Sequence, residues 1–379
     1  MGLLDYYRQF EGMSEEEVNA GLREEAAERK RKALTRVDTL DLSYTTWPEL
    51  PHPRVVNAIT FVARRGLHRY PHVQGTDLRN TLAERHAIDP ERLILGNGSA
   101  ELLSAAARAV MEPGQKLLTP WPSYPLYPLM ARRAHGQAVR TSAGVDALLE
   151  AASREPSVRA IALASPNDPT GELMSVAELR RLLLGLPQNV AVLLDESLVE
   201  FADAQPTNAS LSLLDEHPQL LVFRSFSKAW GLAGLRIGYA IGGPGSAELL
   251  AELQPDLGVS EVSQAGALEA LASCSDLVAS RALSICEERP RVTAGLREMG
   301  FHVHDSQANF VWAAHPALAG AELAARLARA GVLVAAGDAL EEPRHVRISL
   351  RSRVASDRLL DAVAKALQQS PPAAPAPAR

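Results

Sequence analysis

The stretch Ser225-Phe226-Ser227-Lys228, followed by Gly231-Leu232-Ala233-Gly234-Leu235-Arg236, holds an amine beside anion-binding residue types. A lysine just after an apolar run is partly buried. Burial disfavours its ammonium form and frees an amine to condense with an aldehyde. Two serines and an arginine close by suit a phosphate, and the glycines let the backbone approach it. Taken alone, the same residues read equally well as a surface lysine and a salt-bridged arginine.

Asp195 ends the run Ala191-Val192-Leu193-Leu194. An acid at the tip of an apolar strand costs desolvation energy unless a positive partner meets it, and a protonated ring nitrogen is such a partner. A helix cap is the ordinary alternative for Asp. Ser165-Pro166-Asn167-Asp168-Pro169-Thr170-Gly171 reads as a rigid turn that aims the Asn167 amide in one direction, where it can donate to a phenolate oxygen. As a turn alone it is unremarkable.

These residues need elements to position them. Helix-like stretches (VVNAITFVARRG, DLRNTLAERHA, AELLSAAARAVM) alternate with short apolar runs: RLILGNG, QKLLTPWP, VRAIALASP, AVLLDES, QLLVFRSFS and LRIGYAIG. Runs this apolar fit strands covered on both faces, and the alternation predicts an α/β fold with a mostly parallel sheet flanked by helices. Polar clusters (GNGSAE, PSYPLY, SPNDPTG, DES, SFSK) end the runs, and ligands of such sheets collect beyond the carboxyl ends of the strands. One shared site is therefore expected. From about residue 275 a long helical stretch leads into FHVHDSQANFVWAA, AELAARLARAGVLVAA and HVRISL, which read as a smaller α/β domain.

The 379 residues carry a net charge of −6, which argues against a general nucleic-acid binder. No apolar run is long enough for a bilayer, and the first residues lack a signal-peptide pattern, so no membrane contact is expected and the cytoplasm is the expected compartment. Cys274 and Cys286 are expected as reduced structural thiols. His302 and His304 share a strand face, but a metal needs more ligands, so no metal site is expected. Ser14 with Glu17 fits a capping box opening a charged helix over about 14–34, and the Pro/Ala-rich end reads as disordered.

SPNDPTG, then LLDES, then SFSKAWGLAGLRIG, in this order and spacing, resemble the fold-type I pyridoxal-5′-phosphate (PLP) enzymes of the class I/II aminotransferase family. The resemblance is closest to the histidinol-phosphate aminotransferase branch and runs from about Leu42 to about Leu367. It implies that Lys228 carries PLP as a Schiff base and shuttles the substrate proton, and that Asp195 pairs with the pyridine nitrogen. Asn167 is then the partner of the 3′ oxygen, and Tyr124 stacks on the ring. Ser225, Ser227, Arg236 and the backbone of Ser99 and Ala100 are the implied phosphate holders. Tyr70 reaches the phosphate of a neighbouring subunit, which implies a homodimer. Arg347 clamps the substrate α-carboxylate, with Tyr44 and Asn309 as further candidate substrate contacts.

Three positions depart from the family pattern. Leu198 stands where a tyrosine is usual. Gly331-Val332-Leu333-Val334 runs into Ala335-Ala336 without the usual phosphate-binding arginine, and Leu42-Ser43-Tyr44-Thr45-Thr46-Trp47-Pro48 replaces the usual substrate segment. Trp47 is expected to pack the small domain. The resemblance implies an arm and part of the small domain over 1–50, a PLP-binding large domain over 51–275, a small domain over 276–369 completed from the other chain end, and a tail over 370–379. The expected reaction is ping-pong transamination of an amino acid, a small-molecule substrate, with a keto acid. Decarboxylation, β-elimination or oxidative deamination on the same fold is the rival reading. A non-enzymatic PLP-sensing regulator is a third, disfavoured because the segment before Pro48 is too short and too acidic for a DNA-binding module.

Overall fold

A computed structural model describes residues 38–368, with Ser14, Arg23 and Glu24. Apart from those three residues, the expected charged helix over about 14–34 lies outside the described residues, as does the tail 370–379. Among the described residues, 41–368 form one compact unit.

Every one of the six apolar runs contains a strand. They are β1 (Leu93–Gly96), β2 (Lys116–Pro120), β4 (Val158–Ala164), β5 (Ala191–Asp195), β6 (Leu220–Ser225) and β7 (Gly238–Gly242). A seventh, β3 (Gln137–Thr141), was not foreseen. Its sequence, QAVRT, is half polar because it is an edge strand with one neighbour and no fully buried residue. The sheet order is β1-β7-β6-β5-β4-β2-β3. Only β7 runs against its neighbours, so the sheet is mostly parallel, as expected.

The helix Ser99–Val110 buries Leu102, Leu103, Ala106 and Ala107 in one cluster with Leu193 and Phe223 of the sheet and Tyr127 of the helix Leu126–Arg133. Each such leucine contributes roughly 2 kcal/mol of apolar transfer. That packing fixes where the helix starts relative to the ends of β5 and β6.

A second, fully antiparallel sheet has four strands: β8 (His302–Val303), β9 (Phe310–Ala314), β10 (Ala335–Ala336) and β11 (His345–Ser349), in the order β10-β11-β9-β8. The chain around Leu42 is tied to this region: its N–H donates to Leu333 O at 2.8 Å and its carbonyl accepts from Ser349 N at 2.9 Å. Residues far apart in sequence thus bring the 42–47 segment beside β11. The long helix Ser275–Glu298 precedes this sheet. Cys286 lies within that helix, Cys274 lies just before it, and both are unpaired. Trp312 is buried, as a core residue would be.

Candidate active site

The carboxyl ends of β4, β5 and β6 open onto a cavity of about 180 Å³. Ser99, Ala100, Tyr124, Asp195, Ser225, Ser227, Lys228 and Arg236 all line it. So does Leu198, at the place of the missing tyrosine.

Lys228 sits three residues past the end of β6 and its amine donates to Thr45 Oγ1. Burial lowers its pKa from the ordinary lysine value, and Arg347 adds to the lowering, while Asp168 and Asp195 oppose it. A neutral amine is the nucleophilic form, so this environment suits condensation with an aldehyde.

Asp195 Oδ2 accepts from the Tyr127 hydroxyl at 3.2 Å, and its Oδ1 accepts from Ser197 N at 3.0 Å. Burial raises its pKa despite those donors. A buried acid held up in this way gains from a cation placed beside it, which fits a protonated ring nitrogen. Tyr124 meets Tyr127 edge to face at 5.9 Å and presents its ring to the cavity.

An anion cradle lies at the same cavity. Gly98, at φ 91°, opens the helix Ser99–Val110 without a side-chain cap, and first-turn N–H groups have no helical acceptor. A Cβ at Gly98 would stand 2.6 Å from Arg236 Nη2, so glycine is required for the guanidinium to approach the helix start. Ser225 Oγ donates to Ser227 Oγ at 2.8 Å beside it. Arg236 itself holds φ 50°, a left-handed conformation uncommon outside glycine. Its Nη1 donates to Ala233 O at 3.1 Å.

The Asn167 amide is spent inside the turn: Nδ2 donates to Pro122 O at 3.1 Å and to Thr170 Oγ1 at 2.9 Å, and Oδ1 accepts from Ser123 Oγ at 2.7 Å. Asn167 thus has partners for both amide hydrogens within the chain. Its neighbour Asp168 faces the cavity instead. Tyr44 is 65 % exposed, and the cavity-side residues of that segment are Thr45, buried against Lys228, and Thr46.

Arg347 pairs with the cavity-lining Asp168. Its Nη1 donates to Asp168 Oδ1 at 2.5 Å and its Nη2 to Ser43 O at 3.1 Å. Asn309 is buried; its Nδ2 donates to Thr45 O at 2.9 Å and its Oδ1 has no partner among the described residues. Tyr70 is 82 % exposed. Trp230 packs on Phe226 with ring centroids 5.3 Å apart and donates to Glu200 at 3.0 Å. Trp47 stacks on Phe201 at 6.4 Å. His302 is exposed, and His304 lies 3.8 Å from Glu172. No group of three metal-ligating side chains occurs among the described residues, and no described helix is long and apolar enough to cross a membrane.

Sequence reasoning missed Tyr127, Ser197, Asp168 and Thr46. Tyr127 lies in the first turn of the helix Leu126–Arg133, and no local pattern in the sequence singles it out.

The model of the family "Aminotransferase class I and II" matches residues 38–364. The chain belongs to this family. This aminotransferase is 34% identical, over 79% of its length and 84% of the relative's, to a histidinol-phosphate aminotransferase of Anaeromyxobacter sp.. It is 33% identical to an aromatic amino acid aminotransferase of Corynebacterium efficiens, covering 86% of this chain and 92% of that one. Among solved structures, histidinol-phosphate aminotransferase from Sinorhizobium meliloti in complex with pyridoxal-5′-phosphate superposes with a TM-score of 0.77 at 27% identity, covering 91% of this chain and 94% of that one. The fold is that of the fold-type I aminotransferases, and the protein is a PLP-dependent transaminase. The cavity fits the cofactor: a buried acid, a buried amine and an anion cradle line one space.

Proposed function

We propose that this transaminase exchanges the amino group of an α-amino acid bearing a neutral or aromatic side chain with a keto acid, in ping-pong order. Bound PLP supplies an aldehyde for the substrate amine and a protonated ring that accepts negative charge from Cα. Lys228 holds the cofactor and then moves a proton at the substrate Cα. Asp195, steadied by Tyr127 and Ser197, keeps the ring nitrogen protonated. Tyr124 covers a ring face. Ser225, Ser227, Arg236 and the Ser99–Ala100 backbone grip the phosphate. Arg347 receives the substrate carboxylate. The observation that carries this reading is a single cavity lined at once by Lys228, Asp195 and Arg236.

An aromatic or neutral side chain is supported by Ala335 and Ala336, which offer no charge for a second anion beside Arg347. The names of the relatives leave both a phosphorylated and an aromatic substrate in view, and the missing arginine favours the aromatic one. We further propose a cytoplasmic homodimer. Tyr70 would reach its partner's phosphate, and the exposed Phe61, Leu67 and Val73 support a covered surface there. The two unpaired thiols suit a reducing compartment.

The test is a half-reaction. Holoenzyme mixed with single amino acids should lose its aldehyde band, gain that of pyridoxamine phosphate and release keto acid, fastest with aromatic donors. Lys228→Ala should take up no borohydride-fixable cofactor and show no turnover. Full turnover in that variant would reject the assignment of the lysine.

A further inference from the structure

The carboxylate site proposed for Arg347 is already engaged by an acid of the same chain. Arg347 Nη1 donates to Asp168 Oδ1 at 2.5 Å, and Nη2 is bonded to Ser43 O at 3.1 Å. Asp168 lines the cavity, and both it and Arg347 act on the Lys228 amine. An anion brought to the guanidinium therefore also meets the carboxylate of Asp168. The pair is sheltered, with side chains 20% and 13% exposed, so solvent screens the repulsion only in part.

We propose that Asp168 is a specificity-determining residue that competes with the substrate carboxylate for Arg347. The proposal rests on the assignment of Arg347 as the carboxylate clamp. A guanidinium binds a carboxylate most strongly as a two-pronged pair. Here one prong is given to Asp168, and a second carboxylate brought to the same cation is repelled by the first. Arg347 Nε has no partner among the described residues, so donor capacity remains, at a site where the charges of Arg347 and Asp168 cancel. Substrates whose Cα carries a neutral group in place of the carboxylate escape this competition. The acid thus narrows the usual advantage of amino acids over amines and amino alcohols. Removing it leaves Arg347 without its counter-ion, and an incoming carboxylate then gains that charge.

Two unreactive probes separate charge from shape: 3-phenylpropanoate and 3-phenylpropan-1-ol. Each is titrated calorimetrically into PLP-loaded wild type, Asp168→Asn and Asp168→Ala, with cofactor content and melting temperature recorded. Both variants should bind 3-phenylpropanoate at least tenfold tighter, with the alcohol changed less than twofold. Adding Arg347→Gln to Asp168→Asn should remove the gain. Unchanged or weaker carboxylate binding in the acid variants, or equal shifts for both probes, overturns the proposal. So does failure of Asp168→Asn to load PLP, which would make the acid part of the cofactor site. Tight carboxylate binding that survives Arg347→Gln rejects the Arg347 assignment itself, a failure distinct from a flat response to the acid variants.

Discussion

Tyr127 donates its hydroxyl to Asp195 Oδ2 at 3.2 Å, from a position with no solvent exposure. The carboxylate is thereby held from one side, with Ser197 N on its other oxygen, before any ligand arrives. Tyr127→Phe removes that donor and leaves the ring packed. A hydrogen bond to a charged group contributes about 1.5–3 kcal/mol, and PLP affinity should fall about tenfold or more. Fluorescence titration of the variant with PLP checks this, with an unchanged melting temperature as control.

Arg236 should account for discrimination between the phosphorylated and unphosphorylated vitamin. Arg236→Ala should weaken PLP binding about 10- to 100-fold, the range of a charge-assisted contact, and leave pyridoxal nearly unaffected. Equilibrium dialysis with each compound measures the ratio; an equal loss for both would place the arginine elsewhere.

Behind the site, Arg224 and Glu196 form an ion pair with side chains 2% and 3% exposed. Nε and Nη2 reach Glu196 Oε2 at 2.9 and 2.7 Å, and Nη1 reaches Asn208. Breaking one partner strands a buried charge, at about 3–5 kcal/mol. Glu196→Ala should lose that much in urea unfolding. A double replacement, Glu196→Met with Arg224→Leu, should recover most of it.

His86 supplies a pH dependence. Burial, with Arg224 and Arg85 nearby, pushes its pKa down to about 3 from 6.5. Between those values the unfolded chain binds more protons than the folded one, so stability is full above about 6.5 and falls as pH drops towards 3. The loss from this ring should reach a few kcal/mol near pH 4. His86→Gln should flatten the fall in urea midpoint between neutral and acid pH; an unchanged slope would show that the ring is not the cause.

Much of the fold and part of the site were legible in the residues. Apolar runs of strand length, ended by polar clusters, located the buried strands and the cavity edge, because a strand covered on both faces has no room for polar side chains. The edge strand Gln137–Thr141 escaped because its exposed side permits polar residues. Lys228, Asp195 and Arg236 were legible because each is a charged group at the end of, or just beyond, an apolar run.

Sequence alone therefore determined the α/β alternation, the chain order of the chemical groups and the place of the lysine among them, since these follow from residue type and local period. Tertiary structure decided which of two adjacent side chains faces the cavity. Asn167 turns inward to satisfy Pro122 and Thr170, and Asp168 turns to Arg347. It also decided that Thr45, 183 residues before Lys228 in the chain, lies against the lysine amine. Side-chain direction in a turn and closeness across such a separation come from packing and hydrogen-bond satisfaction throughout the fold, and neither leaves a local pattern to read.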